Sequence, residues 1–106
     1  MIYAMNLYDI REGKEDTYRE YMQRSVEVMA GIDVEPVASG HKPLKTMTGK
    51  SRGHFAVMKF GSMSDFDTLM ERQEQNGINQ LREESTTNYI WTLYEDWDIG
   101  AWLYSE

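Results

Sequence analysis

The sequence of 106 residues predicts a single α+β domain with two helices packed on one antiparallel sheet. Short runs of β-forming residues alternate with two stretches in which apolar residues recur at helical spacing. The length suits one domain with one modest core. Two prolines in one extended stretch mark that strand as an edge of the sheet.

The first half of the chain predicts a strand, a long helix and a second strand. Residues 2–9 are dense in Ile, Tyr, Met and Leu and too short for a helix. Apolar residues then recur at helical spacing from Asp16 onward, and Gly31 stands where that helix can end. Residues 34–48 look extended but contain Pro36 and Pro43, so we predict an edge strand, with a bulge near Gly40.

The second half repeats the pattern as strand, helix and strand. The run "HFAVMKF" predicts strand three, and Ser62 and Ser64 are candidate N-caps for the second helix. Asn76 and Gly77 interrupt this helix, and "INQLREEST" can form a further turn or two. The run "NYIWTLYEDW" predicts strand four.

The order β-α-β-β-α-β is that of the ferredoxin-like plait, with a four-stranded sheet in the order 4-1-3-2 and both helices on one face. We assign residues 1–96 to this domain. Residues 97–106 form an apolar C-terminal tail, predicted to pack on its own core or on a dimer partner.

Both faces of the predicted sheet are apolar, although two helices can cover only one. Strand one places Tyr3, Met5 and Leu7 on one face, and strand three offers Phe55 and Val57 at alternate positions. A broad apolar face needs a cover, so we predict a homodimer that packs sheet against sheet.

Composition narrows the function further. With 18 acidic and 11 basic residues the net charge is −7, which disfavours nucleic acid and anionic membranes as partners. The chain has no cysteine, no secretory signal pattern and no long apolar segment, so we expect a cytoplasmic protein. No phosphate loop, dinucleotide fingerprint or nucleophile elbow is present, and we expect no cofactor.

The chain resembles the dimeric α+β barrel superfamily, and within it a family of small bacterial proteins of unknown function. The resemblance is carried by "FAVMKFGSMSDFDTLMERQEQNGINQLREEST", "YREYMQRS" and "ASGHKPLKTMTG", and it spans about residues 2 to 95. It implies a homodimer whose two sheets form a barrel, with a pocket between sheet and helices or inside the barrel. It implies no settled reaction.

Heme-degrading members of the superfamily use an asparagine in strand one, a tryptophan in helix two and a histidine after it. Asn6 fits the first position, but Leu69 and Met70 stand where the tryptophan would fall. The following "INQLREE" contains no histidine. Two of the three requirements are therefore missing.

The candidate site consists of polar and aromatic residues near the predicted pocket. Asn6 and His41 are the catalytic candidates, as a hydrogen-bond donor and a general base. The ligand-binding candidates are Asn6, Tyr8, His41, Arg82 and Trp91. The two histidines lack a metal-ligand spacing, so we expect no metal site.

Each candidate has a structural alternative. Asn6 can be satisfied by a neighbouring strand or a buried water, and Arg82 can pair with an acidic neighbour such as Glu83. His54 suits a solvated strand edge, and Lys59 a side chain that reaches solvent from a strand end.

Two functions follow. In the first, the barrel pocket binds a small carbonyl-bearing or aromatic metabolite, and cofactor-independent oxygenase or isomerase chemistry is open to it. In the second, the protein is a non-enzymatic stress-related or assembly protein whose barrel interior is packed. A cavity with convergent polar groups distinguishes the first from the second.

Overall fold

The computed structural model describes residues 1–105, which form four strands and four helices. In chain order the elements are β1 (Ile2–Ile10), α1 (Glu15–Val28), β2 (Val34–His41), β3 (His54–Phe60), α2 (Met63–Gln75), α3 (Asn79–Ser85), β4 (Thr86–Glu95) and α4 (Ile99–Leu103).

The strands form one antiparallel sheet in the order β2-β3-β1-β4, which is the predicted order counted from the other edge. β2 lies at an edge, as Pro36 predicts, but it ends at His41, so the strand predicted over residues 34–48 is too long and Pro43 lies in the following loop. The predicted bulge near Gly40 is wrong in position, because the register shift lies between Pro36 and Ala38. Pro36 has no N–H for the ladder, so the irregularity falls beside it, and Gly40 pairs in regular register with Phe55.

The first three helices cover one face of the sheet. Ala4, Phe60 and Leu69 form the buried centre of the core between sheet and helices, and the Phe66 ring meets Phe60 edge to face. Ser62 caps α2, since its hydroxyl accepts a hydrogen bond from the backbone N–H of Asp65. Both faces of β1 are thereby assigned: Ala4 and its even-numbered neighbours face the helices.

The opposite face of the sheet, called the open face below, is apolar and uncovered. Its large side chains are Tyr3, Met5, Leu7, Phe55, Val57, Ile90 and Tyr94. Phe55, Ile90 and Tyr94 are each more than a third exposed. Lys59 also lies on this face and pairs with Glu35 at 3.8 Å.

The residues after β4 extend away from the domain. The short helix α4 is capped by Asp98, whose side chain accepts a hydrogen bond from the N–H of Ala101. Trp97, Trp102 and Tyr104 are exposed, and α4 makes no extensive packing contact with the other described elements. The radius of gyration is 15.5 Å, against roughly 13 Å for a compact domain of this length.

Candidate functional site

A cavity of about 520 Å³ lies between the helices and the sheet. Helices α1 and α2 and strands β1 to β4 all contribute to its wall. Met22, Val26 and Pro36 line it and are exposed, which places its mouth between α1 and β2. Asn6, Leu69 and the other buried lining residues form its inner end.

Asn6 is fixed at this inner end by the protein itself. Its side-chain amide donates to the carbonyl oxygens of Ala56 at 3.2 Å and of Ala4 at 3.4 Å. Its oxygen accepts a hydrogen bond of 2.6 Å from the hydroxyl of Tyr89. Both N–H groups are therefore used, and only one lone pair of the amide oxygen is free for a ligand.

Three tyrosines stand together beside Asn6. The hydroxyl of Tyr18 donates to that of Tyr8 at 2.6 Å, and the rings of Tyr8 and Tyr89 stack with centroids 5.1 Å apart. Burial raises the pKa of each of these phenols. All three are neutral at physiological pH, so they act here as hydrogen-bonding hydroxyls and apolar rings.

Three further polar atoms in the cavity wall are buried without a partner among residues 1–105. They are the hydroxyl of Ser25, the side-chain oxygen of Gln73 and the indole nitrogen of Trp91. Ser25 and Gln73 are each only 2% exposed. Since buried polar groups are almost always paired, these three atoms, which belong to residues that line one cavity, are candidates to bond a polar ligand or bound water.

No lining residue carries a formal charge at neutral pH. Arg82 lies against the aromatic part of the wall: its guanidinium is 5.1 Å from the centre of the Trp91 ring and 5.8 Å from that of Tyr89. Its hydrogen bond goes to the side-chain oxygen of Asn79 at 3.4 Å. Arg82 thus holds the aromatic wall by cation–π contact and does not line the cavity.

The two histidines lie outside the cavity wall, where the end of β2 pairs with the start of β3. The His54 ring stacks on Tyr8 with centroids 5.4 Å apart, and its Nδ1 is buried without a partner among residues 1–105. Burial, with His41 nearby as a lesser cause, lowers the pKa of His54, and Asp9 opposes this weakly. The structural alternative expected for His54 was a solvated position at a strand edge. Instead, its ring packs on Tyr8 and its Nδ1 is buried. His41 is exposed and lies 6.1 Å from His54, ring to ring.

Of the five predicted ligand-binding residues, the structure brings Asn6 and Trp91 into the cavity wall. Tyr8 and Arg82 do not line the cavity. Tyr8 contacts the lining residue Tyr18, and Arg82 contacts the lining residue Trp91. His41 lies elsewhere, beside a groove on the open face. The two catalytic candidates, Asn6 and His41, are therefore not brought together around this cavity.

Sequence reasoning missed Tyr18, Ser25, Gln73 and Tyr89 as site residues. For Ser25 and Gln73, which lie on helices, the sequence pattern itself indicated burial. Gln73 shares a helix face with Phe66, Leu69 and Met70, and Ser25 follows Tyr18 and Tyr21 on the apolar face of α1. A polar residue on a core-facing stripe is buried, so it must find a partner or a function.

Within residues 1–105, no three side chains of His, Cys, Asp or Glu come together as a metal site would require. None of the helices described has the length and apolar character needed to cross a membrane.

Residues 2–94 match the family model described as a domain of unknown function, DUF1330. No curated protein matches the chain. The match to the DUF1330 family model confirms the expected resemblance to a family of small proteins of unknown function.

Solved structures share the fold at low sequence identity. A protein of unknown function from Rhodopseudomonas palustris, RPA0582, has a TM-score of 0.77 at 14% identity, over 92% of this chain and 82% of that one. A dimeric ferredoxin-like protein of unknown function from Bacteroides fragilis has a TM-score of 0.61 at 13% identity, over 90% and 95%. A similar dimeric protein from Thermobifida fusca has a TM-score of 0.62 at 11% identity, over 90% of each chain.

Proposed function

The chain belongs to the DUF1330 family, whose function is unknown, and from its own residues we propose that it binds a small uncharged molecule in the cavity between helices and sheet. The observation that carries this proposal is the set of three buried, unpartnered polar atoms in an otherwise apolar wall. The volume of about 520 Å³ lies within the range of small-molecule pockets.

The wall supports a specific hydrogen-bonding pattern in the ligand. The indole N–H of Trp91 donates, so it suits a carbonyl or hydroxyl oxygen. The side-chain amide of Gln73 is not fixed by a hydrogen bond and offers either its oxygen or its NH2 to a ligand, and the hydroxyl of Ser25 likewise suits a donor or an acceptor. The aromatic and Met-rich remainder suits a ring.

The absence of charge from the wall supports an uncharged ligand. Burying a carboxylate beside these side chains would leave it without a cation, at a cost of several kcal/mol. We therefore favour aromatic ketones, phenols or lactones over the corresponding acids.

The wall gives more support to binding than to acid–base catalysis. None of its lining residues is Asp, Glu, His or Lys, and the phenol pKa values of Tyr18 and Tyr89 are raised by burial. Cofactor-independent oxygenase or isomerase chemistry would have to rely on desolvating and orienting the substrate.

We also propose that the protein is a homodimer joined through the open face. Exposed Phe55, Ile90 and Tyr94 on this face support the idea, because a broad apolar surface is a typical interaction site. The related structures from Bacteroides fragilis and Thermobifida fusca are described as dimeric. A two-fold axis would make the contact self-complementary.

A thermal-shift screen with matched compounds tests the binding proposal. Uncharged aromatic ketones, phenols and lactones are compared with carboxylates of the same size. A compound at a hundred times its Kd stabilises the native state by about 2.7 kcal/mol, which raises Tm by roughly 10 °C or more in a domain of this size. We expect shifts with uncharged compounds alone.

Two variants provide the control. Ala56→Leu puts extra volume into the cavity wall, whereas Ala30→Leu adds it at an exposed position after α1 that lines neither the cavity nor the open face. The ligand-induced shift should disappear in the first variant and persist in the second. No shift in the wild type with any uncharged compound, or equal shifts in both variants, would contradict the proposal.

A further inference from the structure

We propose that the C-terminal arm of one copy, residues 96–105, docks into a cationic groove at the far end of the open face of a second copy. This inference rests on the homodimer proposed above. It adds a defined segment, a defined receptor groove and an orientation of the two chains.

The arm is locally ordered but lacks a core of its own. The rings of Trp97 and Trp102 meet edge to face at 5.4 Å, and Asp98 caps α4. Trp97 is 63% exposed, Trp102 59% and Tyr104 88%. Apolar side chains that are ordered but exposed to this degree, on a segment that projects from the domain, are typical of an element that packs on another molecule.

The receptor groove lies where β1, β3 and β4 approach the loop between β2 and β3. Its volume is about 460 Å³, and its apolar lining residues are Leu7, Pro43, Leu44, Phe55 and Ile90, of which Leu44 is fully exposed. The Phe55 ring lies directly against the backbone of Gly40, which leaves no room for a Cβ there. The Phe55 ring therefore lies across β2 and offers an aromatic surface within the groove.

The charges of arm and groove are complementary. Lys42, Lys50 and Arg52 border the groove, in a chain whose net charge is −7. The arm and its root carry Glu95, Asp96 and Asp98. A cationic groove on an acidic protein selects an acidic, aromatic partner, and the chain contains such a segment.

Geometry also connects the two features. The arm leaves the sheet at the open face, where Trp97 and Asp96 line a shallow depression with Tyr3 and Met5. The groove lies at the opposite end of the same face. If the two-fold axis sets equivalent strands antiparallel, the arm root of each copy lies over the groove of the other, and both arms dock reciprocally.

Cysteine cross-linking tests the contact, because the chain contains no cysteine of its own. One variant carries Ala101→Cys in the arm, and a second, with a different affinity tag, carries Ser51→Cys in the groove wall. After subunit exchange, a short bismaleimide should give a cross-linked heterodimer as the main product. A third variant, Gln23→Cys on the exposed side of α1, replaces the groove variant as control and should give little product with Ala101→Cys.

The outcomes separate this inference from the dimer on which it rests. Dimers in sedimentation without the arm-to-groove product would overturn the docking contact and leave the dimer intact. Equal product with Ser51→Cys and Gln23→Cys would overturn it as well. Monomers in sedimentation at all concentrations would overturn both the docking contact and the proposed dimer.

Discussion

At the scale of single residues, Asn6 organises the cavity more than it offers itself to a ligand. It ties β1 to the carbonyl of Ala56 on β3 and to the hydroxyl of Tyr89 on β4. The amide thereby joins three neighbouring strands at one buried point. In the proposed site, the polar atoms without a partner among residues 1–105 belong to Ser25, Gln73 and Trp91.

This role predicts a large stability cost for Asn6→Leu. The substitution removes three hydrogen bonds and leaves the hydroxyl of Tyr89 without its acceptor, so we expect a loss of about 2–3 kcal/mol in the free energy of unfolding. Tyr89→Phe removes only one of these bonds and should cost about 1 kcal/mol. Urea denaturation of both variants measures the difference, and an Asn6→Leu protein as stable as the wild type would show that the network is unimportant.

An asparagine in an apolar strand signals a buried polar site, but the sequence does not say which partners it has. The hydrogen bond between Tyr89 and Asn6 joins residues 83 positions apart. It therefore depends on the register in which β1 pairs with β4. For the same reason the stacking of His54 on Tyr8 could not be anticipated. Such contacts follow from the sheet order together with the exact register, and only the order could be predicted.

At the scale of elements, the sequence predicted all four strands and both principal helices because each is marked by local chemistry. Ser62 begins α2, Gly31 at φ +77° follows α1, and Pro36 marks the edge strand. The bulge was misplaced because Gly40 suggested flexibility, whereas it serves close contact with the Phe55 ring. A glycine in a strand is compatible with a bulge or with close contact to a neighbouring side chain. Which of the two occurs depends on the residues of the adjacent strand.

The arm and the groove form a pair of elements that charge reversal can test. Lys50→Glu and Asp96→Lys should each weaken the dimer, and the double variant should restore it, because the pair is then reversed. An exposed pair contributes up to about 1 kcal/mol, and two symmetric contacts would give a change of about tenfold in the dimer Kd. Sedimentation equilibrium at low salt measures this change.

Net charge alone predicts a different result for one of these variants. Asp96→Lys lowers the negative charge of an acidic chain, so reduced general repulsion would strengthen the dimer. A tighter dimer in this variant, or no recovery in the double variant, would contradict the pairing of arm and groove.

At the scale of the whole molecule, the two faces of the one sheet differ in what covers them. All four strands belong to one sheet, so every strand contributes side chains to both faces. The helix-covered face encloses the cavity, and the open face carries the apolar surface and the groove. The sequence indicated an apolar character for both faces, but it gave no means to distinguish a face that encloses a cavity from one that binds another chain.

The most direct test of the cavity uses Trp91 as its own reporter. The chain has three tryptophans, and Trp97→Phe with Trp102→Phe leaves only the one in the cavity wall. Titration with an uncharged compound selected by thermal shift should change the Trp91 emission saturably. Adding Ala56→Leu should weaken that binding at least tenfold, because the added side chain takes up space in the cavity. If the folded single-tryptophan protein shows no saturable change with any such compound, the cavity is not a binding site and the central claim is wrong.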